Sequence, residues 1–141
     1  MSGRVGDERA AREADVLVID DEPVVCDGIR RVLEAAGFSV AIAADGATAL
    51  AHPAAGGCRL VLCDLVLPDG EGGEIVRALR RRRPGLPVVV VTGYATADQA
   101  SRALRAGATA FLAKPFEESE LLGAVRRALG EAPPAPEERE S

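Results

Sequence analysis

Histidine and cysteine, on which many metal and nucleophile sites depend, are scarce in this sequence. The single histidine, His52, stands beside Pro53 in an expected loop, which leaves no Ser-His or Cys-His pair for nucleophilic catalysis. The three cysteines, Cys26, Cys58 and Cys63, lack metal-ligand spacing and are odd in number. We therefore expect buried free thiols in a reducing compartment, which favours a cytoplasmic protein.

Long hydrophobic runs are also missing. The apolar segments are far shorter than the ~20 residues that span a bilayer, and residues 1–14 hold no apolar stretch, so we expect neither a membrane span nor a secretory signal. The formal net charge of −5 argues against direct nucleic-acid binding by this segment. One basic run, Arg80 to Arg83, precedes Pro84 at the end of an expected helix, where we expect solvated cations facing the helix dipole.

What the sequence does contain is a regular alternation over its 141 residues, a length that suits one domain with a hydrophobic core. Five short runs are almost continuously apolar, as expected for parallel strands covered on both faces: 16–20, 39–43, 60–64, 88–92 and 109–113. Segments with helical spacing follow each of them: 23–36, 45–50, 75–79, 97–104 and 121–129. This alternation predicts an α/β fold in which a parallel sheet lies between two layers of helices.

Several residues mark where these helices begin and end. Pro23 suits a first helical turn, and Asp45 can cap the start of the second helix. Gly37 and Gly107 are placed as C-terminal caps of the first and fourth helices. After the fifth helix, residues 131–141 are proline-rich and charged, which predicts a disordered tail or the start of a linker.

Polar side chains stand at the ends of four of the apolar runs. Asp20 and Asp21 come at the end of the first run, Asp64 ends the third, Thr92 ends the fourth and Lys114 follows the fifth. Because the carboxyl ends of parallel strands share one edge of a sheet, these side chains should meet in one pocket. A polar group at the end of an apolar strand is costly unless it finds partners there.

The composition of this pocket indicates phosphoryl chemistry. Two carboxylates ~4 Å apart repel by roughly 1–4 kcal/mol, and a divalent cation in an all-oxygen site such as Mg²⁺ relieves that repulsion. Asp64 would keep one oxygen for nucleophilic attack, while the metal and Lys114 would neutralise charge on an incoming phosphoryl group. The hydroxyl of Thr92 could donate a hydrogen bond to a phosphoryl oxygen.

Taken together, these motifs resemble the receiver domain of bacterial two-component response regulators. The resemblance covers about residues 14–130 and rests on five segments in order: Asp20-Asp21-Glu22-Pro23, residues 64–70, Val91-Thr92-Gly93-Tyr94, Gly107-Ala108 and Lys114-Pro115-Phe116. It implies a flavodoxin-like, doubly wound sheet of five parallel strands in the order 2-1-3-4-5, with five helices in three layers. Residues 1–13 would then form a flexible N-terminus ahead of the receiver domain.

The resemblance also implies the roles of the site residues. A sensor histidine kinase or histidine phosphotransfer protein would donate a phosphoryl group to Asp64. Mg²⁺ would be held by Asp21, Asp64 and the backbone carbonyl of Val66, with Asp20 acting mainly through water. Lys114 and Thr92 would hold the phosphoryl group, and the peptide bond after Lys114 is usually cis in this family.

A switch is implied as well. Phe111 stands at the family's aromatic switch position, where its ring turns inward as Thr92 moves toward the phosphoryl group. This repacks the face of the fourth helix, fifth strand and fifth helix, and changes its affinity for a partner or a second copy of the chain. Val66 and Tyr94 are unusual neighbours of the site, and we expect their apolar screen to give a long-lived phosphorylated form.

Other interpretations remain open at the level of sequence. Asp20 and Asp21 could cap the first helix, Asp64 and Asp69 could be turn residues, and Lys114 could be a surface lysine. A degenerate receiver would act only as a protein-interaction module. An aspartyl-phosphate hydrolase would need a second acid at the position of Val66. We expect a phosphoacceptor signalling domain that catalyses only its own phosphorylation and dephosphorylation, and is otherwise not an enzyme.

Overall fold

The computed structural model of the chain describes residues 14–93 and 96–130. The expected flexible N-terminus (1–13), the expected tail (131–141) and Tyr94 lie outside the described residues. The elements are β1 Val16–Ile19, α1 Pro23–Ala35, β2 Val40–Ala43, α2 Gly46–Ala51, α3 Ala54–Gly57, β3 Leu60–Cys63, β4 Val66–Leu67, β5 Gly70–Glu71, α4 Gly72–Arg82, β6 Val88–Thr92, α5 Ala97–Ala106, β7 Ala110–Ala113 and α6 Glu118–Ala128. None of the described helices is long and apolar enough to cross a bilayer.

The main sheet has five parallel strands in the order β2-β1-β3-β6-β7. Numbered along the chain, this is the expected order 2-1-3-4-5. Apolar side chains fill both faces of the sheet. One face carries the cluster that includes Val76 and Leu79 of α4, and the other packs against Ile29 of α1 and Leu121 of α6. The expected three-layer α/β fold is therefore confirmed.

Two small elements were not expected. After α2 ends, Pro53 starts the one-turn helix α3, because proline fits the beginning of a helix better than its interior. Ala54 and Ala55 of this turn are buried, and His52 accepts a hydrogen bond on Nδ1 from the Ala54 backbone N–H at 3.0 Å. The described residues thus contain six helices, and β4 and β5 add a short antiparallel hairpin in the loop after β3.

The expected helix boundaries are present. Asp45 accepts a hydrogen bond on Oδ1 from the Thr48 backbone N–H at 2.7 Å, which caps α2. Gly37 and Gly107 follow α1 and α5 with φ angles of 99° and 111°, a left-handed conformation that glycine adopts without steric cost.

The arginine run at the end of α4 is not simply solvated, which corrects the expectation from sequence. Arg80 donates to the carbonyl of Leu86 at 2.7 Å, and Arg82 donates to the carbonyl of Leu50 at 2.7 Å. Arg83 donates to the carbonyl of Ala55 at 3.3 Å. The last carbonyls of a helix have no intrahelical partner, and Arg82 and Arg83 reach such groups in α2 and α3.

Candidate functional site

The strand register places the polar side chains at one edge of the sheet. Ile19 of β1 pairs with Cys63 of β3, so the next residues, Asp20 and Asp64, emerge side by side. Thr92 at the end of β6 pairs with Ala113 of β7, so Lys114 emerges next to it. The backbone N–H of Lys114 donates to the carbonyl of Thr92 at 2.9 Å.

Lys114 is the centre of the site. Its Nζ lies 2.9 Å from Oδ2 of Asp20, 3.0 Å from Oδ2 of Asp64 and 2.7 Å from Oε1 of Glu22. The side chains of Lys114, Asp20 and Asp64 are largely shielded from water, whereas that of Glu22 is 57% exposed. One cation thus binds three carboxylates that come from two separate strand ends.

Burial and pairing shift the ionisation of this cluster. Burial raises the pKa of Asp20 above its ordinary value, and the hydrogen bond from Lys114 offsets part of that effect. Burial alone would lower the pKa of Lys114, but its hydrogen bonds to Glu22, Asp20 and Asp64 together raise it. The ammonium group therefore stays charged throughout the physiological pH range.

The acidic side chains could hold a metal ion. One carboxylate oxygen from each of Asp20, Asp21 and Asp64 lies within 4.8 Å of the others. Asp20 and Asp64 are buried, whereas Asp21 is exposed to solvent. Three hard oxygen donors with one side open to water fit a Mg²⁺ ion that retains several of its waters.

A cavity of about 520 Å³ opens beside these carboxylates. Asp21, Asp64, Val66, Gly93 and Lys114 are among the residues that line it. Asp64 therefore has an open approach from solvent, although its own side chain is only 7% exposed. A group the size of a phosphoryl could reach the Asp64 carboxylate through this opening.

Backbone contacts fix the position of Asp64. Its Oδ1 accepts a hydrogen bond from the backbone N–H of Val66 at 3.2 Å, and its own N–H donates to the carbonyl of Ile19 at 2.9 Å. Gly72, the first residue of α4, donates to the carbonyl of Leu65 at 2.7 Å. A Cβ on Gly72 would overlap the carbonyl oxygen of Asp64, so only glycine allows α4 to begin this close to the strand end.

Thr92 and Phe111, the expected switch residues, lie on the neighbouring strands β6 and β7. Thr92 is completely buried, and the next residue, Gly93, lines the cavity. Phe111 is partly buried and packs against the apolar cluster on the α4 and α5 side of the sheet. The peptide bond between Lys114 and Pro115 is cis, as the family resemblance implied.

Asp20, Lys114 and Asp69 make contacts beyond those of a helix cap, a surface lysine or a turn residue. Helix α1 has Glu22 at its N-cap without a side-chain hydrogen bond, and Asp20 instead accepts from the Glu22 backbone N–H at 2.9 Å. Lys114 is partly buried and paired, so it is not a free surface lysine. Asp69 does not merely close a turn, because its carboxylate accepts from the backbone N–H groups of Gly46 and Ala47, both at 2.9 Å.

Sequence reasoning missed two residues of this site. Glu22 makes the shortest contact to Lys114, yet in the sequence it stands out only as part of the Asp20-Asp21-Glu22-Pro23 motif. Its position directly after the aspartate pair was the available signal. Gly72 was missed because its need for a small side chain depends on how α4 docks against Asp64, which a linear pattern does not contain.

The fold and the edge cluster define a class of signalling domain, and comparison with known proteins identifies it. The family model of the response regulator receiver domain matches residues 16–126. The chain therefore belongs to the response regulator receiver family, as its sequence motifs indicated.

Individual relatives agree with this assignment. The chain is 36% identical over 118 residues to the DNA-binding transcriptional regulator NtrC of Rhizobium meliloti (strain 1021), covering 84% of this chain and 24% of that protein. It is 30% identical over 122 residues to the response regulator protein TodT of Pseudomonas putida, covering 86% of this chain and 54% of that protein. The chain thus spans between a quarter and about half of the length of these curated relatives.

Solved structures show the same fold. A CheY-like response regulator receiver domain protein from Methanospirillum hungatei JF-1 is 33% identical, with a TM-score of 0.76, and the match covers 89% of this chain and 97% of that one. The receiver domain of NtrX from Brucella abortus is 32% identical, with a TM-score of 0.77, and the match covers 84% of this chain and all of that one (100%).

Proposed function

We propose that this receiver domain accepts a phosphoryl group on Asp64 from a phosphohistidine of a sensor histidine kinase or a histidine phosphotransfer protein. The observation that carries the proposal is the setting of Asp64, whose carboxylate lies 3.0 Å from the Lys114 ammonium and within the acidic cluster, beside an open cavity. A nucleophilic oxygen, a fixed cation and a candidate metal site are the parts that phosphoryl transfer needs.

Each residue has a role in this proposal. Asp21, Asp64 and the carbonyl of Val66 would bind Mg²⁺, and Asp20 would act through a bound water. When bound, Mg²⁺ would neutralise charge on the phosphoryl oxygens. Lys114 would pair with one phosphoryl oxygen, which its present contact with Asp64 at 3.0 Å supports, and Thr92 would donate a hydrogen bond to another.

The transfer itself is a single displacement at phosphorus. An oxygen of Asp64 forms a bond to phosphorus while the phosphorus–nitrogen bond to the donor imidazole breaks, and the imidazole nitrogen keeps the bonding electron pair. Lys114 is already positioned by Asp20 and Glu22, so little reorganisation is needed to meet the developing charge.

Phosphorylation would then act on the surface formed by α5, β7 and α6. Thr92 would move toward the phosphoryl group and Phe111 would turn inward, which repacks this surface for a partner or for a homodimer. Leu104 on α5 is 53% exposed, so this surface already offers an apolar contact. Because Phe111 has no hydroxyl, the switch would depend on packing rather than on a hydrogen bond.

The proposal extends to the boundaries and setting of the domain. Residues 14–130 would form the receiver domain. It would work in the cytoplasm without touching membrane or nucleic acid, and the net charge of −5 supports the latter. It would catalyse its own phosphorylation and dephosphorylation and no other reaction.

Incubation with acetyl phosphate and Mg²⁺, followed by intact mass spectrometry, tests the proposal. We expect a single phosphoryl adduct on the natural chain that disappears in Asp64→Asn and when Mg²⁺ is chelated. Asp27→Asn is the matched control, because Asp27 is an exposed residue of α1 that does not line the cavity, so the adduct should remain in place.

Two further measurements separate the alternatives. If no adduct forms although Mg²⁺ binds, a histidine kinase donor replaces acetyl phosphate. Failure with both donors, or the absence of Mg²⁺ binding, would overturn the proposal and favour a protein-interaction module. Repeated turnover of phosphate esters would instead favour a hydrolase.

A further inference from the structure

A second opening, separate from the acidic cavity, lies between the N-terminal half of α4 and helix α5. Its volume is about 380 Å³, and three arginines are among its lining residues: Arg77 from α4, and Arg102 and Arg105 from α5. The chain as a whole has 22 acidic and 17 basic residues, so this groove runs against the overall charge. We refer to it as the arginine groove.

The donor groups of these arginines are largely unused. Arg77 makes no hydrogen bond or ion pair with any residue of the described ranges 14–93 and 96–130. Arg102 pairs with Asp98 at 3.2 Å through Nε alone, and Arg105 uses one guanidinium nitrogen to reach Ser101 at 3.1 Å. By contrast, three arginines of the run at the end of α4 donate to backbone carbonyls. The groove therefore retains several donors in the fork geometry that binds carboxylates bidentately.

The lining of the groove connects it to the segment that follows Asp64. Leu65 and Val66, which directly follow Asp64, line the arginine groove, and Val66 also lines the acidic cavity. Apolar atoms of Leu65, Val66 and Ala106 lie among the arginines. An occupant would therefore need both negative charge and some apolar surface.

These properties favour a peptide segment over other anions. None of the described residues that line the groove is aromatic, so it offers no ring on which a nucleotide base could stack. Glu71 also lines the groove, and its carboxylate would repel a continuous phosphate backbone. A peptide can place carboxylates against the arginines and apolar side chains against Leu65, Val66 and Ala106. It can also place an uncharged residue opposite Glu71, which a continuous phosphate backbone cannot do.

We propose that the arginine groove between α4 and α5 is a docking site for an acidic segment of a partner protein, in which Arg77, Arg102 and Arg105 bind carboxylates. The segment carries glutamate or aspartate interspersed with apolar residues. The groove shares α5 with the surface formed by α5, β7 and α6, and its other lining residues come from α4 and from the segment that follows β3.

Fluorescence anisotropy with a labelled peptide of glutamate interspersed with leucine tests the docking site on the full chain. We expect Arg77→Glu and Arg102→Glu each to weaken binding by ~10-fold or more, since charge reversal replaces an attraction by a repulsion. Arg81→Glu is the matched control, because Arg81 lies on the same helix, is exposed and does not line the groove. Binding of the natural chain should weaken as salt is added.

Three outcomes would overturn the docking site. They are no detectable peptide binding by the natural chain, an equal loss in Arg81→Glu, and preferential binding of ATP or duplex DNA that depends on Arg77 and Arg102. Thermal unfolding of each variant shows whether the fold is retained, and Arg77→Gln provides a milder substitution should Arg77→Glu unfold. The assay contains no phosphodonor, so its failure is distinct from failure of the proposed phosphorylation.

Discussion

Val66 contributes an apolar side chain to the lining of the cavity in which the proposed phosphorylation takes place. Its side chain is 49% exposed and lines the cavity beside Asp64, two positions away along the chain. An isopropyl group cannot orient a water molecule for attack on phosphorus, and it occupies space that such a water would need. We therefore expect this side chain to lengthen the lifetime of a phosphorylated form.

We predict that Val66→Asn shortens the lifetime of phosphorylated Asp64, because an amide can hold and orient an attacking water. The measurement is the decay of the phosphoryl adduct by intact mass spectrometry after removal of the phosphodonor. Val66→Ile keeps the apolar screen and should decay as slowly as the natural chain. Decay in Val66→Asn that is equal to or slower than that of the natural chain would contradict this role for Val66.

The sequence predicts the polar residues at the strand ends, but it does not predict the roles of Glu22 and Gly72 beside them. Asp20, Asp64 and Lys114 stand out because a polar group is unexpected at the end of an apolar run. Glu22 has no such contrast, since an acidic residue just before a helix is ordinary there. Gly72 is one of 15 glycines, and only the docking of α4 against the Asp64 carbonyl distinguishes it.

Among the secondary-structure elements, α2 is held at its N-terminus by two acidic residues from different parts of the chain. Asp45 caps it locally, and Asp69 reaches it from the loop that joins β4 to β5. The backbone N–H groups of Gly46 and Ala47 hold the pKa of Asp69 below its ordinary value. This carboxylate therefore connects α2 to the segment that follows Asp64.

We predict that Asp69→Asn lowers the free energy of unfolding near neutral pH, and that the difference from the natural chain disappears in acid. The pKa of Asp69 is depressed in the folded state, so its contribution is present above the unfolded value of 3.8 and is lost as pH falls through the folded value. Urea unfolding between about pH 7 and about pH 3 measures the difference.

Glu71→Gln is the control for this experiment. Glu71 lies two residues further on, is exposed, and makes no side-chain hydrogen bond or ion pair within the part of the chain that the structure describes. It should show no such pH-dependent difference. A pH-independent loss of stability in Asp69→Asn would mean that its charge does not hold α2.

Sequence predicts the large elements well and the small ones poorly. The five main strands agree with the apolar runs to within a residue or so at their ends, because burial on both faces leaves a strong signal. Helix α3 has only four residues, and its stability comes from buried Ala54 and Ala55 rather than from a helical pattern. The contacts of Arg82 and Arg83 are hard to predict from sequence, because their acceptors, the carbonyls of Leu50 and Ala55, lie about thirty positions away.

The described residues form two apolar clusters, one on each face of the sheet, and each cluster contains at least one cysteine. Cys58 and Cys63 lie in the layer that contains α4, and Cys26 lies in the layer between the sheet and α1. All three are free and buried, as expected from the sequence. Burial raises the pKa of Cys26 to about 11 and also raises those of Cys58 and Cys63.

We predict that the native protein resists alkylation by iodoacetamide, and that all three cysteines become reactive together when it unfolds. Their thiols are protonated and shielded in the folded state, and a single small domain unfolds cooperatively. Peptide mass spectrometry after labelling across a urea series reports each cysteine separately. Labelling of Cys26 at lower urea than Cys58 and Cys63 would mean that the two layers unfold separately.

The ion pair between Lys114 and Glu22 joins residues that are 92 positions apart, and it has a consequence for biosynthesis. During translation, the acidic residues that follow β1 and β3 are synthesised first, and the lysine that follows β7 is synthesised later. Until residue 114 has emerged, the nascent polypeptide holds the nucleophile without its cation and lacks an edge strand. If Asp64 is the phosphoacceptor, chains that end before Lys114 cannot accept a phosphoryl group. Only polypeptides translated beyond β7 can then respond to the kinase.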